Sequence, residues 1–80
     1  MSYMTAELRH WWRQKLNGRP ETIWGYVYND PNDFWENGEL GEFEIVSLTE
    51  SANFYILHTR GITVFKLAKD EEKIRQDKAF

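Results

Sequence analysis

The 80-residue sequence contains no cysteine, so neither disulfides nor thiolate metal sites can brace it, and nothing in its composition calls for an oxidising compartment. No apolar run approaches the roughly 20 residues a helix needs to cross a bilayer, and Met1-Ser2-Tyr3-Met4 shows no basic stretch leading into an apolar one. These absences predict a soluble chain without a membrane partner, located in the cytoplasm. Lys and Arg are missing altogether between Arg19 and Arg60. Glu21, Asp30, Asp33, Glu36, Glu39, Glu42, Glu44 and Glu50 occupy that interval unopposed, while Arg9, Arg13, Lys15 and Arg19 precede it with only Glu7 against them. The net charge of −3 therefore conceals a polarised molecule, acidic in its middle and basic at its start.

Aromatic residues are what the chain has in abundance. Four Trp, four Tyr and five Phe supply large buried areas per side chain, which suits a domain too short to bury more than about 60–65% of its unfolded surface. Neither an internal repeat nor a low-complexity linker divides the chain, so residues 1–80 read as one domain. Met1, Met4, Leu8, Trp11, Trp12 and Leu16 recur at helical spacing over an arc of about 140°, which predicts a helix over residues 3–17. Asn17-Gly18 followed by Pro20 supplies its stop.

Four strands are predicted in the antiparallel region 22–67: Thr22 to Tyr28, Phe43 to Leu48, Phe54 to Thr59 and Ile62 to Leu67. In the first, Ile23, Gly25 and Val27 point one way while Trp24, Tyr26 and Tyr28 point the other, so both faces are expected to be partly covered. Alternation fails at Ile45-Val46, which signals a bulge or a strand buried on both sides. Arg60-Gly61 reads as a tight hairpin turn, and Ser51-Ala52-Asn53 also has turn composition, so the last three strands are expected to form an antiparallel meander. Asp30-Pro31-Asn32-Asp33 has the composition of a helix start, predicting a short helical turn in the long connection. Acids followed by bases after Asp70 predict a helical tail over 70–80. The expected fold class is α+β, an N-terminal helix packed on a bent four-stranded antiparallel sheet that curls toward a barrel.

Chemistry-bearing constellations are few. His10 and His58 lie far apart with no cysteine to activate and no nucleophile-elbow context, so no catalytic residue is assigned and no enzyme is expected. Neither histidine has a partner at metal-ligand spacing. Asp30, Asn32, Asp33 and Glu36 begin like a calcium loop, but Phe34 stands where its fifth-position ligand belongs and the required glycine is missing. No metal or cofactor is therefore assigned. Gly38 and Gly41 sit among acids that would repel a phosphate.

The segment that stands out is acidic and aromatic. Asp30, Asp33, Phe34, Trp35, Glu36, Glu39 and Glu42 form the candidate partner-binding set, because carboxylates steer a basic surface inward and an exposed ring anchors it. Two other function classes compete with a non-catalytic module that binds a basic protein. One is nucleic-acid binding, through a basic N-terminal helix with Trp11 and Trp12 and a stacking row of Trp24, Tyr26 and Tyr28, but the eight acids weaken the attraction to phosphate. The other is a self-associating structural protein, since nothing in the sequence fixes the oligomeric state.

Two resemblances bear on this choice. Tyr26-Val27-Tyr28-Asn29-Asp30, Phe34-Trp35-Glu36-Asn37-Gly38-Glu39 and Ile45-Val46 resemble the opening of a Src-homology-three domain, which implies a small barrel whose acidic first loop grips basic proline-rich peptides. That family's tryptophan pair belongs after these strands, whereas Trp11-Trp12 precedes them here, and its Pro-x-x-Tyr segment has no counterpart. Gly25-Tyr26-Val27-Tyr28, Asn37-Gly38-Glu39, Ile45-Val46 and the run from Thr59 to Leu67 resemble short bacteriophage and prophage proteins. That likeness implies a small accessory protein, including an inhibitor of a host protein, whose acidic surface imitates or blocks nucleic acid.

Overall fold

A computed structural model describes residues 5–73. It is almost entirely β and corrects the α+β expectation. Six strands, β1 (Ala6–Gln14), β2 (Thr22–Tyr28), β3 (Glu39–Glu44), β4 (Ser47–Glu50), β5 (Phe54–His58) and β6 (Val64–Ala68), form one sheet in the order β3-β2-β1-β6-β5-β4. The sheet is mixed rather than wholly antiparallel, because β1 and β6 run parallel through Ala6↔Phe65 and Glu7↔Lys66. Among the described residues no helix is long and apolar enough to cross a membrane.

The parallel pair follows from counting passes of the chain. β3 and β4 are separated only by Ile45 and Val46, so together they make one bent pass whose first half pairs with β2 and whose second half pairs with β5. An antiparallel meander with an odd number of passes ends parallel to its first strand. The broken alternation at Ile45-Val46 marks the bend where the pass changes partner.

The predicted helix over 3–17 is replaced, within the described residues, by β1. Its register with β2 shifts from Arg9↔Tyr26 to Trp12↔Trp24, so His10 and Trp11 together stand opposite Gly25. His10 sits at φ 51, as the first residue of a bulge of this kind requires. The extra residue changes the phase of the strand. Leu8 and Trp11, three apart, both become fully buried, and Trp12 joins the opposite face with its ring stacked on Trp24. A strand bulge has thus produced spacings of three and four that sequence periodicity assigns to a helix. The Asn17-Gly18 stop signal closes a turn instead, with Gly18 at φ 75 and Arg19 N–H donating to the Leu16 carbonyl at 3.1 Å.

The helical turn predicted near Asp30 is also absent. Asp33 and Asn29 adopt left-handed φ values of 61 and 58, leaving the helical region on both sides of the would-be first turn. At the C-terminal end a single 3₁₀ turn, Lys69–Glu71, replaces the start of the expected tail helix, whose residues from 74 onward lie outside the described residues.

The core is built from one face of the curled sheet: Ala6, Leu8, Trp11, Ile23, Val27, Phe43, Leu57, Phe65 and Leu67. Three strand spacings would separate β3 from β6 by about 14 Å in a flat sheet. Phe43 and Phe65 instead meet with ring centroids 4.5 Å apart, a direct measure of the curl. Trp11 ties the far side, donating its indole N–H to the Ala68 carbonyl at 2.8 Å and meeting Tyr55 edge-on at 5.7 Å.

Candidate partner-binding groove

The acidic loop is built around Asp30. Its carboxylate is turned inward, where it accepts the backbone N–H groups of Asn32 at 2.9 Å, Phe34 at 2.8 Å and Trp35 at 3.0 Å. The buried Thr63 hydroxyl donates to it at 3.5 Å and accepts from the Asn32 amide at 3.4 Å, tying the loop to the start of β6. This is the hydrogen-bonding chemistry of a helix cap applied to a loop. Asp30 therefore organises its neighbours instead of presenting charge to solvent.

That arrangement holds two adjacent rings in opposite environments. Trp35 is half-buried and packs on Phe43 at 5.3 Å, whereas Phe34 is 67% exposed. Opposite it, in the Thr59–Thr63 connection, Ile62 is 69% exposed. Between them lies an open groove of about 450 Å³, with Phe43, Phe65 and Trp35 among its lining and Glu42 and Thr63 along its sides. Isolated exposed apolar residues need no explanation, but two that flank one groove with aromatic side chains in its lining make a contiguous patch.

The sheet order places this groove. β3 is a terminal strand, paired with β2 alone, and the groove runs between its other edge and the Thr59–Thr63 connection. An ion pair from Arg60 to Glu44, 3.5 Å long, bridges the two sides.

The remaining candidate acids divide between the groove and the sheet. Asp33 and Glu36 are exposed in the loop on either side of the Phe34-Trp35 pair. Glu39 is exposed at the start of β3, where its carboxylate accepts the Glu36 N–H at 3.1 Å. Glu42 lines the groove and has no ion-pair partner among the described residues. Three of the seven candidates, Phe34, Trp35 and Glu42, thus line one groove, Asp33 and Glu36 flank the Phe34-Trp35 pair along the loop, Glu39 holds the Glu36 amide, and Asp30 is the loop's internal scaffold. Phe43, Thr59, Gly61, Ile62, Thr63 and Phe65 complete the lining and were not among the residues selected from the sequence. The turn signal at Arg60-Gly61 followed by an apolar residue was the available clue to Ile62.

The outer face of the sheet carries the aromatic row considered for nucleic acid. Trp12 and Trp24 stack with planes 2° apart, and the Arg9 guanidinium lies 4.4 Å from the Tyr28 ring centroid. Arg9 is engaged by Glu7 at 2.8 Å, a hydrogen-bonded pairing that lowers the Glu7 carboxyl below its ordinary range. Glu42 and Glu44 stand directly opposite Trp24 and Thr22 on this same face, so carboxylates border the row on its β3 side. The basic N-terminal helix on which that reading depended is strand β1.

Comparison with known protein families, curated proteins and solved structures finds no match to this chain.

Proposed function

We propose that the chain is a non-catalytic protein-binding module that takes a basic segment of a partner into the groove between Phe34 and Ile62. One observation carries the reading: an exposed ring, held in place by a loop whose three N–H groups converge on a buried carboxylate, overhangs a groove lined by apolar side chains. Preorganisation of this kind lowers the entropic cost of binding, because the loop need not be ordered by the partner. Asp33, Glu36 and Glu42 then select positive charge and speed encounter, while Phe34 and Ile62 supply the desolvated contact. Masking the basic segment of a nucleic-acid-binding partner is how such a module would act as an inhibitor.

Selection of a displayed random-peptide library on the immobilised full chain tests this. Enriched peptides are expected to combine Lys or Arg with an apolar anchor. Phe34→Ser should weaken their binding by about 30-fold, the loss of one anchoring residue worth about 2 kcal/mol. Neutralising Asp33, Glu36 and Glu42 together should abolish most of the salt dependence. Enrichment without basic residues, or capture indifferent to Phe34→Ser, would refute the proposal.

A further inference from the structure

An antiparallel strand directs every second backbone N–H and C=O toward each of its two sides. β3 has a ladder neighbour on one side only; the Glu39 amide is taken by the Glu36 carbonyl at 3.0 Å, and beyond it the alternate amides on the other side have no ladder partner among the described residues. An open edge of this kind is a template for another strand, and proteins use it to capture extended peptides. Side-chain parity along β3 is fixed by its register with β2: Gly41 and Phe43 share the core side with Gly25 and Ile23, whereas Leu40, Glu42 and Glu44 share the outer side with Tyr26, Trp24 and Thr22.

Resting on the reading above, we infer that the partner binds by adding a strand to the free edge of β3, in the pattern basic–apolar–basic. Residues opposite Gly41 and Phe43 point toward the apolar lining of the groove. Those opposite Glu42 and Glu44 point outward and pair with carboxylates, since opposite charges across a ladder stabilise it and like charges oppose it. Glu42 is the principal selector, because Glu44 already holds Arg60. The charge of the edge also decides against a second copy of this chain as the occupant. A second β3 brings the same Glu39, Glu42 and Glu44 to the seam, where they repel.

Three capped peptides test the mode of binding against the isotopically labelled full chain: acetyl-Lys-Val-Lys-Val-Lys-amide, the same peptide N-methylated at both valines, and the isomer N-methylated at the lysines. An added strand turns only one of these two sets of amides toward β3. One methylated isomer is therefore expected to keep the affinity of the parent and the other to lose at least about tenfold, the equivalent of one or two backbone hydrogen bonds. Hydrogen exchange at alternate β3 amides should slow when the parent peptide binds. Equal binding of the two isomers, still abolished by Phe34→Ser, overturns strand addition and leaves the groove reading intact. Failure of all three peptides to bind at millimolar concentration overturns the strand proposal, and a barren library selection alongside it overturns both. Protection of β3 that rises with protein concentration in the absence of peptide assigns the edge to a second copy and refutes the inference.

Discussion

Gly25→Ala probes the bulge that shapes this fold. Gly25 lies in the middle of β2 facing His10 and Trp11, and a Cβ placed on it would stand 2.6 Å from Leu8 Cγ and 2.9 Å from Trp11 Cβ. Carbon atoms pack best at about 3.5–4.0 Å, so the overlap approaches 1 Å at two places. Leu8 and Trp11 are both fully buried, and moving Trp11 Cβ requires moving the β1 backbone. Overpacking of this severity costs about 1–3 kcal/mol, and the ordinary gain from replacing a strand glycine returns only about 0.5–1 kcal/mol. A net loss of about 1 kcal/mol is expected, equivalent to a fall in Tm of about 4–8 °C for a chain of this size. Urea unfolding followed by tryptophan fluorescence should show a lower midpoint with an unchanged slope. The cost of Leu8→Ala should shrink by about 1 kcal/mol in the Gly25→Ala background, since the new methyl occupies part of the void. A Gly25→Ala variant as stable as the parent or more so would refute the bulged register of β1, because that outcome is what an unobstructed strand glycine gives.

Trp11→Phe should cost about 2–3 kcal/mol by calorimetry, through a void and the loss of the donor to the Ala68 carbonyl, whereas half-buried Trp24, whose indole N–H has no acceptor among the described residues, should tolerate Phe with a smaller loss. Asp30→Ala should cost about 2 kcal/mol and accelerate hydrogen exchange at Asn32, Phe34 and Trp35, the three amides its carboxylate holds; unchanged exchange would remove Asp30 from its scaffolding role. Glu7 has a lowered pKa in the folded chain, chiefly through its hydrogen bond from Arg9, so its contribution is present above the unfolded-state pKa and disappears as pH falls through the folded value. Because the pair is exposed, Glu7→Gln should cost no more than about 1 kcal/mol at neutral pH, and the stability difference from the parent should close on acidification; a gap that persists at low pH would exclude the ion pair as its cause.

Much of the sheet is legible in the sequence where one rule acts alone. β2 spans Thr22–Tyr28 as its alternation requires, and Ile23, Gly25 and Val27 are its buried set. The interruption at Ile45-Val46 is visible in the sequence, but in place of a bulge or a doubly buried strand it is the break between β3 and β4. Val46 is exposed, and the single strand expected over Phe43 to Leu48 is two. β1 misleads because a single inserted residue converts period two into spacings of three and four. Local periodicity cannot distinguish that from a helix, whereas pairing with β2 and β6 can. β3 begins four residues before its predicted start because Glu39-Leu40-Gly41-Glu42 is poor in residues that favour strands, and its extended form is imposed by the ladder to β2. Had β1 been assigned as a strand, the odd number of passes would have required the parallel closure with β6.

The acids show where charge counting reaches its limit. Asp30 and Glu42 contribute equally to the negative interval in the sequence, yet one is enclosed by N–H donors and the other lies open along a strand edge. The difference is written in their neighbours. Asp30 begins Asp-Pro-Asn-Asp, a run in which a carboxylate folds back on its own backbone, whereas Glu42 lies between Gly41 and Phe43, where strand geometry sends its side chain away from the core. Sorting carboxylates by local backbone chemistry before summing them would have left Asp33, Glu36 and Glu42 as the proposed selecting charges, with Glu39 set aside by its hydrogen bond from the Glu36 N–H. The same sorting explains why an edge strand can remain open beside exposed apolar residues. On the strand-addition proposal, its carboxylates would discourage identical strands from docking and still admit a strand of opposite charge, so protection against aggregation and selection of a partner would arise from the same side chains.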